Sequence, residues 1–277
     1  MRILGIIILY NPDIKNVLKN ISKFIDHIDH LIIWQNSSCE GLEKMVGEYS
    51  NKLTIMGNKN NQGIAYPLNV ATNRIKESSS FTHLLTMDQD SEWQNFDSFI
   101  DTVSLLDNHS IYSPNINNEN NDCTTNTKKV NDCITSGALF SKYALDKING
   151  FNEVYSVDCV DYDFSYKATA NGINIYKICN ARMVQTYGAP QISKYFGIKS
   201  NVYSAQRSYF IVRNHMLLWK DHNKYLSSRF KINILKHYIF VRIVKIIMME
   251  DHKIKKISSI IRGLFDGLMN NRSKKYT

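Results

Sequence analysis

The chain opens on an apolar run, Arg2 to Leu9, and then changes rhythm. From Ile14 to Ile28 the apolar residues Ile14, Val17, Leu18, Ile21, Ile25 and Ile28 recur at three- and four-residue intervals, the spacing of one helix face. Leu31 to Gln35 reads as a buried strand, Leu42 to Tyr49 as a helix and Leu53 to Met56 as a short strand. Gly63 to Ile75 is a further helix, and Phe81 to Met87 a further strand. This alternation predicts an α/β fold built on a largely parallel, doubly wound sheet with right-handed crossovers.

The second half is less regular. Asn115 to Thr127 is rich in Asn and Thr and almost free of apolar residues, so it reads as a loop. A strand is predicted near Val130 to Leu139, a helix near Ser141 to Lys147, and a helix stop at Gly150. From Lys199 onward the pattern turns helical and basic. The expected division is therefore an α/β domain over 1–198 and a mostly helical region over 199–277. A chain of 277 residues, 43% apolar and 21% charged, fits one sizeable globular domain with an appendage. The run Ile3 to Leu9 is too short for a signal segment and leads into Tyr10-Asn11-Pro12-Asp13, a strand-to-helix turn. Five cysteines with no Cys-x-x-Cys pair argue against a disulfide framework or a zinc ribbon and favour a reducing cytoplasm.

Charge alters this picture at the C-terminal end. Residues 199–277 carry 17 Lys+Arg against 4 Asp+Glu, a balance of +13, whereas the first 198 carry 17 against 21, a balance of −4. A basic tail on a near-neutral body suggests an anionic partner for the tail. Phe230 to Met249 is apolar enough to raise the question of a membrane span, but Lys231, Lys236, Arg242 and Lys245 interrupt it. Lys231, Arg242, Lys245 and Lys256 fall close together round a helix, giving a basic stripe. Two readings follow. The helix lies on an anionic membrane surface, or its apolar face packs inward while the lysines face water.

The candidate chemistry is acidic. Thr82 to Ser91 is a strand that ends in Asp88-Gln89-Asp90-Ser91. At the carboxyl end of a strand such a pair projects into the crevice where ligands bind, and two hard oxygen donors can hold Mg2+ or Mn2+ and through it a diphosphate. The plain alternative is a solvated acidic turn. A second group, Asp158, Asp161 and Asp163, follows Gly150-Phe151-Asn152-Glu153, with Asp161 in the first turn of a helix. One carboxylate there is an ordinary cap, but three in six residues exceed a cap's needs, and one of them can take a proton from an attacking hydroxyl. His83, on a buried strand, reads as a satisfied core histidine.

The motifs Leu9-Tyr10-Asn11-Pro12, Trp34-Gln35-Asn36-Ser37-Ser38 and Asn61-Gln62-Gly63-Ile64-Ala65 with Asn69 occur in that order. They are followed by Asp88-Gln89-Asp90-Ser91, Thr135-Ser136-Gly137, and Gly150-Phe151 with Asp161. Together they resemble the family-2 glycosyltransferases of the GT-A fold. With Arg207-x-Tyr209 and Arg213-Asn214 downstream, the chain looks most like the bacterial rhamnosyltransferase branch. The resemblance implies a sugar-nucleotide donor, Mg2+ or Mn2+, and inversion at the anomeric carbon. It places Asn11, Gln35, Asn61, Gly63 and Asn69 about the donor, with Asp88 by the ribose or sugar and Asp90, joined by Asp88, at the metal. Asp161 matches the base, and Ser136, Gly137, Asp158, Asp163, Arg207 and Arg213 would meet the acceptor or a diphosphate. Two departures stand out: Gln35 where relatives usually carry Asp, and Gln185 where they often carry the better metal ligand His.

The expected activity is transfer of L-rhamnose from dTDP-rhamnose to a polyprenyl-diphosphate-linked glycan in O-antigen or capsule synthesis. The enzyme would be peripheral on the cytoplasmic face of the membrane. Another UDP- or dTDP-sugar is the alternative donor. A nucleotidyltransferase would share the sheet but needs a Gly-rich phosphate loop that Tyr10-Asn11-Pro12-Asp13 does not offer. The basic tail raises nucleic-acid binding, but no nucleic-acid module is recognisable and no such partner is expected.

Overall fold

Seven apolar residues, all buried but one, form the strand β1 (Ile3–Leu9). Burial on both faces is the signature of an inner parallel strand, and β1 indeed lies between two parallel neighbours. Its partners are β2 (His30–Gln35) and β4 (His83–Asp88), with Ile8 opposite both Trp34 and Asp88. Strand β3 (Leu53–Met56) joins β2, also in parallel. The carboxyl ends of β1, β2 and β4 therefore share one edge, which brings Tyr10, Gln35 and Asp88 to the place where such sheets bind ligands. The computed structural model that shows this describes residues 1–42, 47, 51–78, 80–117, 123–186, 191–192 and 199–273.

Past β4 the sheet changes character. It continues through β8 (Leu139–Ser141), β6 (Ile111–Ile116), β9 (Ile175–Gln185) and β5 (Ser91–Trp93), with β7 (Thr127–Val130) also on β9. Of these pairings only β6 with β9 is parallel. The parallel reading holds for the first four strands, and the remainder is mixed. Helices α1 (Ile14–Ile21), α2 (Ala65–Glu77), α3 (Phe96–Ser104) and α4 (Lys142–Ile148) accompany the sheet. Ile3, Ile7, Leu31, Ile33, Leu85 and Met87 form one core with Trp93, Phe96 and Phe99.

Local differences from the sequence reading have local causes. Helix α1 ends at Ile21 rather than Ile28, because the Ser22 hydroxyl donates back to Lys19 O at 2.8 Å and the chain must turn into β2. The strand expected near Val130 to Leu139 is two short strands with a loop between. Gly137 sits at φ +73°, and Ala138 N–H closes a turn on Thr135 O at 3.1 Å. The helix stop is as read, with Asn149 and Gly150 both left-handed after α4. Most of the helix read over Leu42 to Tyr49 lies outside the described residues, as does part of the Asn/Thr-rich loop. Cys123 and Cys179 are joined by a disulfide, a pairing that the odd count and irregular spacing did not foretell.

By contacts the chain forms two compact units, Met1–Asn152 with Phe164–Thr186, and Glu153–Asp163 with Tyr187–Thr277. Helix α5 (Val160–Ala170) has its first turn in the second unit and the rest in the first. The second unit holds α6 (Ala205–Asp221), α7 (Ser228–Asn233), a π-helical stretch Ile234–Val241, α8 (Arg242–Met249) and α9 (Lys253–Leu268). Helix α9 lies close on α6 because two glycines face it. A Cβ on Gly263 would stand 2.5 Å from Tyr209 O, and one on Gly267 2.5 Å from Met216 Cβ.

The basic stripe is split, with Lys231 and Lys245 keeping solvent-facing surface and its other two members turned inward. Arg242 and Lys256 are buried and share the carboxylate of Glu250, itself 4% exposed. The exposed side of α8 and α9 also carries apolar residues, Val244, Ile247, Ile254, Ile261 and Phe265, next to Lys253, Lys255 and Arg262. Residue periodicity marks two faces of a helix but not which is inside, and here Glu250 draws the cations inward. Among the described residues no helix is long and apolar enough to cross a membrane.

Candidate functional site at the sheet edge

Side chains from four loops tie the carboxyl edge of the sheet together. Gln89 accepts from Tyr10 N–H at 2.7 Å and donates to Tyr10 O at 3.0 Å, so its amide locks the end of β1 to the acidic turn after β4. Asn11, left-handed at φ +47°, donates its N–H to Ser37 Oγ at 2.7 Å. Asn36 holds the next loop: its amide donates to Gly63 O at 2.8 Å and accepts from Gln62 N–H at 3.1 Å and Trp34 Nε1 at 3.2 Å. Asn61 accepts from Gly63 N–H at 2.9 Å, and Gln35 is buried at the end of β2. Position 57 takes glycine there, since φ is +95° and a Cβ would stand 2.6 Å from Gln35 O. Asn11, Gln35, Asn61 and Gly63 thus line the same edge as Asp88.

The acidic turn is held from below. Ser136, fully buried, accepts from Asp88 N–H at 3.3 Å and meets Ser91 Oγ at 2.7 Å. Gly137 N–H donates to Thr86 O at 2.7 Å, and a Cβ there would strike Met183 and Pro114 at 2.8 Å. Ser136 and Gly137, expected to meet an acceptor or diphosphate, support the turn that carries Asp88. Gln185 reaches the same turn from β9, donating to Asp88 Oδ2 at 3.0 Å and also bonding Asp90. Its backbone is fixed by Asn117, which accepts from Gln185 N–H at 3.0 Å and donates to Gln185 O at 3.2 Å. Desolvation holds the Asp90 carboxyl above its ordinary range, against the opposing pull of the Gln185 amide. His83 is buried and pushed down to about 4 by that burial, so it is neutral. Its Nδ1 meets Thr82 Oγ1 at 2.9 Å, but its buried Nε2 has no hydrogen-bond partner, so it is not the fully satisfied histidine read from the sequence. Asn69, expected at the donor, is bonded to Phe151 at both ends of its amide: it accepts from Phe151 N–H at 2.8 Å and donates to Phe151 O at 2.9 Å.

In the second unit Asp161 lies in the first turn of α5, half-buried. The residues before it, Asp158 and Cys159, are both left-handed, at φ +54° and +65°. That loop is pinned by α6. Arg213 Nη2 donates to Val154 O at 2.9 Å and Asn214 Nδ2 to Val157 O at 2.6 Å. Asp163, buried, bonds His222 Nε2 at 2.9 Å, while Arg207 approaches Asp158 at 3.5 Å. Three of the residues expected on the acceptor side have partners within the chain. Arg213 is fully buried, and its guanidinium is taken up by Val154 O, Ser273 O and Asn214 Oδ1. Asp163 is bound to His222, and Asp158 is engaged with Arg207. Of the group, Arg207, Asp158 and Asp161 keep solvent-facing surface.

No family model matches the chain. Over 292 residues it is 24% identical to a dTDP-rhamnosyl transferase, RfbF, of Shigella flexneri, covering 96% of this chain and 95% of that protein. Among solved structures it superposes on GalNAc-T7 with UDP, GalNAc and Mn2+ at a TM-score of 0.59. That match is 10% identical and takes in 86% of this chain but only 58% of the other. It superposes on S. aureus TarS 1-349 at 0.53, with 16% identity over 98% of this chain and 82% of that one. The chain has the GT-A fold.

Within the GT-A frame the acidic turn can be tested as a cation site. Among the described residues no group of three or more His, Cys, Asp or Glu side chains is placed to hold a metal ion. The donors on hand are the carboxylates of Asp88 and Asp90 and the amide oxygen of Gln185. That oxygen is buried and has no hydrogen-bond partner. Two carboxylates and an amide are hard oxygen donors, the set that suits Mg2+ or Mn2+ rather than a thiophilic metal, and a substrate's own oxygens would complete the shell. Asn36, Gln89 and Asn117 were not singled out as site residues, since each acts across 26 to 79 positions and no local spacing reports such a bond.

Proposed function

We propose that the chain is a glycosyltransferase that takes a nucleoside-diphosphate sugar as donor and works with inversion. One observation carries the reading: the Asp88-Gln89-Asp90 turn stands at the carboxyl edge of parallel strands, bridged by Gln185 and locked to the β1 loop by Gln89. On this reading Asn11, Gln35, Asn61 and Gly63 enclose the nucleoside, and Gln35 accepts from a pyrimidine imide N–H. Asp88 and Asp90 hold Mg2+ or Mn2+, which when bound offsets charge on the departing diphosphate. Asp161 takes the proton of the acceptor hydroxyl as the oxygen attacks the anomeric carbon from the face opposite the leaving group. Ser136, Gly137 and Asn69 act through the backbones of Asp88 and Phe151, so they position rather than bind. Arg213 and Asn214 do the same for the loop before Asp161.

For the donor sugar the whole-length likeness to RfbF supports dTDP-L-rhamnose as the first candidate. A UDP-sugar is the second, since GalNAc-T7 was solved with UDP. The acceptor is a lipid-linked glycan at the cytoplasmic membrane face, with 199–277 as the region that associates with it. A thermal-shift panel of sugar nucleotides with and without Mn2+ tests this directly. Metal-dependent stabilisation by one of them, lost in Asp90→Asn, is expected. Stabilisation by dTDP-rhamnose identifies the sugar, and by a UDP-sugar replaces it. No response to any nucleotide would overturn the proposal.

A further inference from the structure

The helical run from Ser228 to Met249 widens in its middle. Residues Ile234–Val241 are π-helical, a conformation that is rare and recurs at functional sites. Beside it lies a pocket of about 270 Å³ whose walls include Tyr203, His237, Tyr238, Val241, Arg242 and Lys245. The charge on this wall is informative. Arg242 grips the Glu250 carboxylate with both terminal nitrogens, and Lys256 reaches the same carboxylate at 2.7 Å. Two buried cations thus share one anion, leaving a net positive charge where charge is expensive to leave uncompensated. Arg242 Nε is buried with no hydrogen-bond partner, and its guanidinium lies over the Tyr203 ring at 5.0 Å. Lys245 and His237 add donors on the same wall.

Apolar side chains stand exposed beside the pocket, next to Lys236 and His237. Leu235, Phe240, Val244 and Ile247 on the same helical run are exposed, Phe240 to 68%. A grouped apolar patch of this kind marks a surface that meets something apolar. A second copy of this chain fits poorly, since it would bring together two surfaces from a region with 17 basic and 4 acidic side chains. One class of ligand answers both the charge and the patch. We propose that this pocket binds the phosphate or diphosphate head of a long-chain lipid, whose hydrocarbon lies along Phe240, Val244 and Ile247. Two sources present that chemistry: a bilayer phospholipid, or an isoprenoid diphosphate that carries a glycan. The second source rests on the glycosyltransferase reading above.

The test is binding of farnesyl diphosphate, inorganic diphosphate, and phosphatidylglycerol vesicles to the full chain by titration calorimetry or co-sedimentation. Farnesyl diphosphate should bind at least about tenfold more tightly than inorganic diphosphate, because the apolar chain adds burial. Lys245→Gln with His237→Gln should weaken farnesyl diphosphate about tenfold, each lost charge-assisted bond contributing on the order of 1 kcal/mol. Phe240→Ser should weaken farnesyl diphosphate alone. Vesicle binding weakened by the same variants, without farnesyl diphosphate binding, supports the site with a phospholipid as its source. Arg242→Gln is a poorer probe because it also removes a buried ion pair with Glu250 and so disturbs the fold. If no probe binds, or binding survives the Lys245 and His237 changes, the proposal is wrong. Sugar-nucleotide stabilisation measured in the same samples reports on the sheet-edge site separately, so the two readings fail independently.

Discussion

The two units place their charges in opposite ways. In the sheet unit apolar strands fill the interior, and the acidic residues stand at the strand ends, where Asp88 and Asp90 reach the edge. In the helical unit Arg242, Glu250 and Lys256 lie inside, and Ile247, Ile254, Ile261 and Phe265 face out. Charge at the edge of a sheet is available for chemistry, whereas charge drawn inside must be paired and serves the fold. What the helical unit offers outward is apolar side chains set among lysines and arginines such as Lys236, Lys253, Lys255 and Arg262.

The contrast can be broken most sharply at Asp161. Asp161→Asn should lower glycosyl transfer by about 10²- to 10⁴-fold, the usual scale for losing a general base, with thermal stability nearly unchanged. Glu250→Ala should do the reverse. It leaves Arg242 and Lys256 buried without their shared anion, so urea unfolding should show a loss of about 3–5 kcal/mol. Lys245→Gln, a member of the same stripe that the Glu250 cluster does not use, should alter stability by less than about 0.5 kcal/mol. Gly263→Ala drives a methyl against Tyr209 O and should cost about 1–3 kcal/mol by the same assay.

The smallest effect concerns Asp90. Its carboxyl titrates above the ordinary range because the fold desolvates it. A raised carboxylate contributes stability below its unfolded pKa and loses it as pH rises through the folded value. Asp90→Asn should therefore raise the melting temperature of the ligand-free protein slightly at neutral pH and leave it unchanged in mild acid. Mn2+-dependent nucleotide binding should fall as pH drops through that same raised value, above the pH at which an ordinary aspartate protonates.

Much of the sheet unit was legible because its signals are local. Seven-residue apolar runs, helical spacing and a terminal Asp-x-Asp each declare themselves within ten positions. The bonds that turn those pieces into a site do not. Gln89 reaches Tyr10 across 79 residues and Gln185 reaches Asp88 across 97, and no spacing encodes either. The loop through Thr135-Ser136-Gly137 was read as strand because its apolar neighbours outweighed one glycine. In the helical unit the wheel showed a basic stripe correctly, yet its direction depends on Glu250, which lies off the stripe. Arg213 illustrates the same limit: its motif was visible, but its burial beneath Val154 O and Ser273 O was not.

The central claim is that the outward carboxylates of the sheet edge hold the donor. Titrating the preferred sugar nucleotide into the wild-type chain and into Asp90→Asn, each with and without Mn2+, tests it most directly. The account predicts that the metal-dependent part of the affinity falls at least about tenfold in the variant, with the metal-free part unchanged. Equal metal-dependent affinity in both proteins would contradict it.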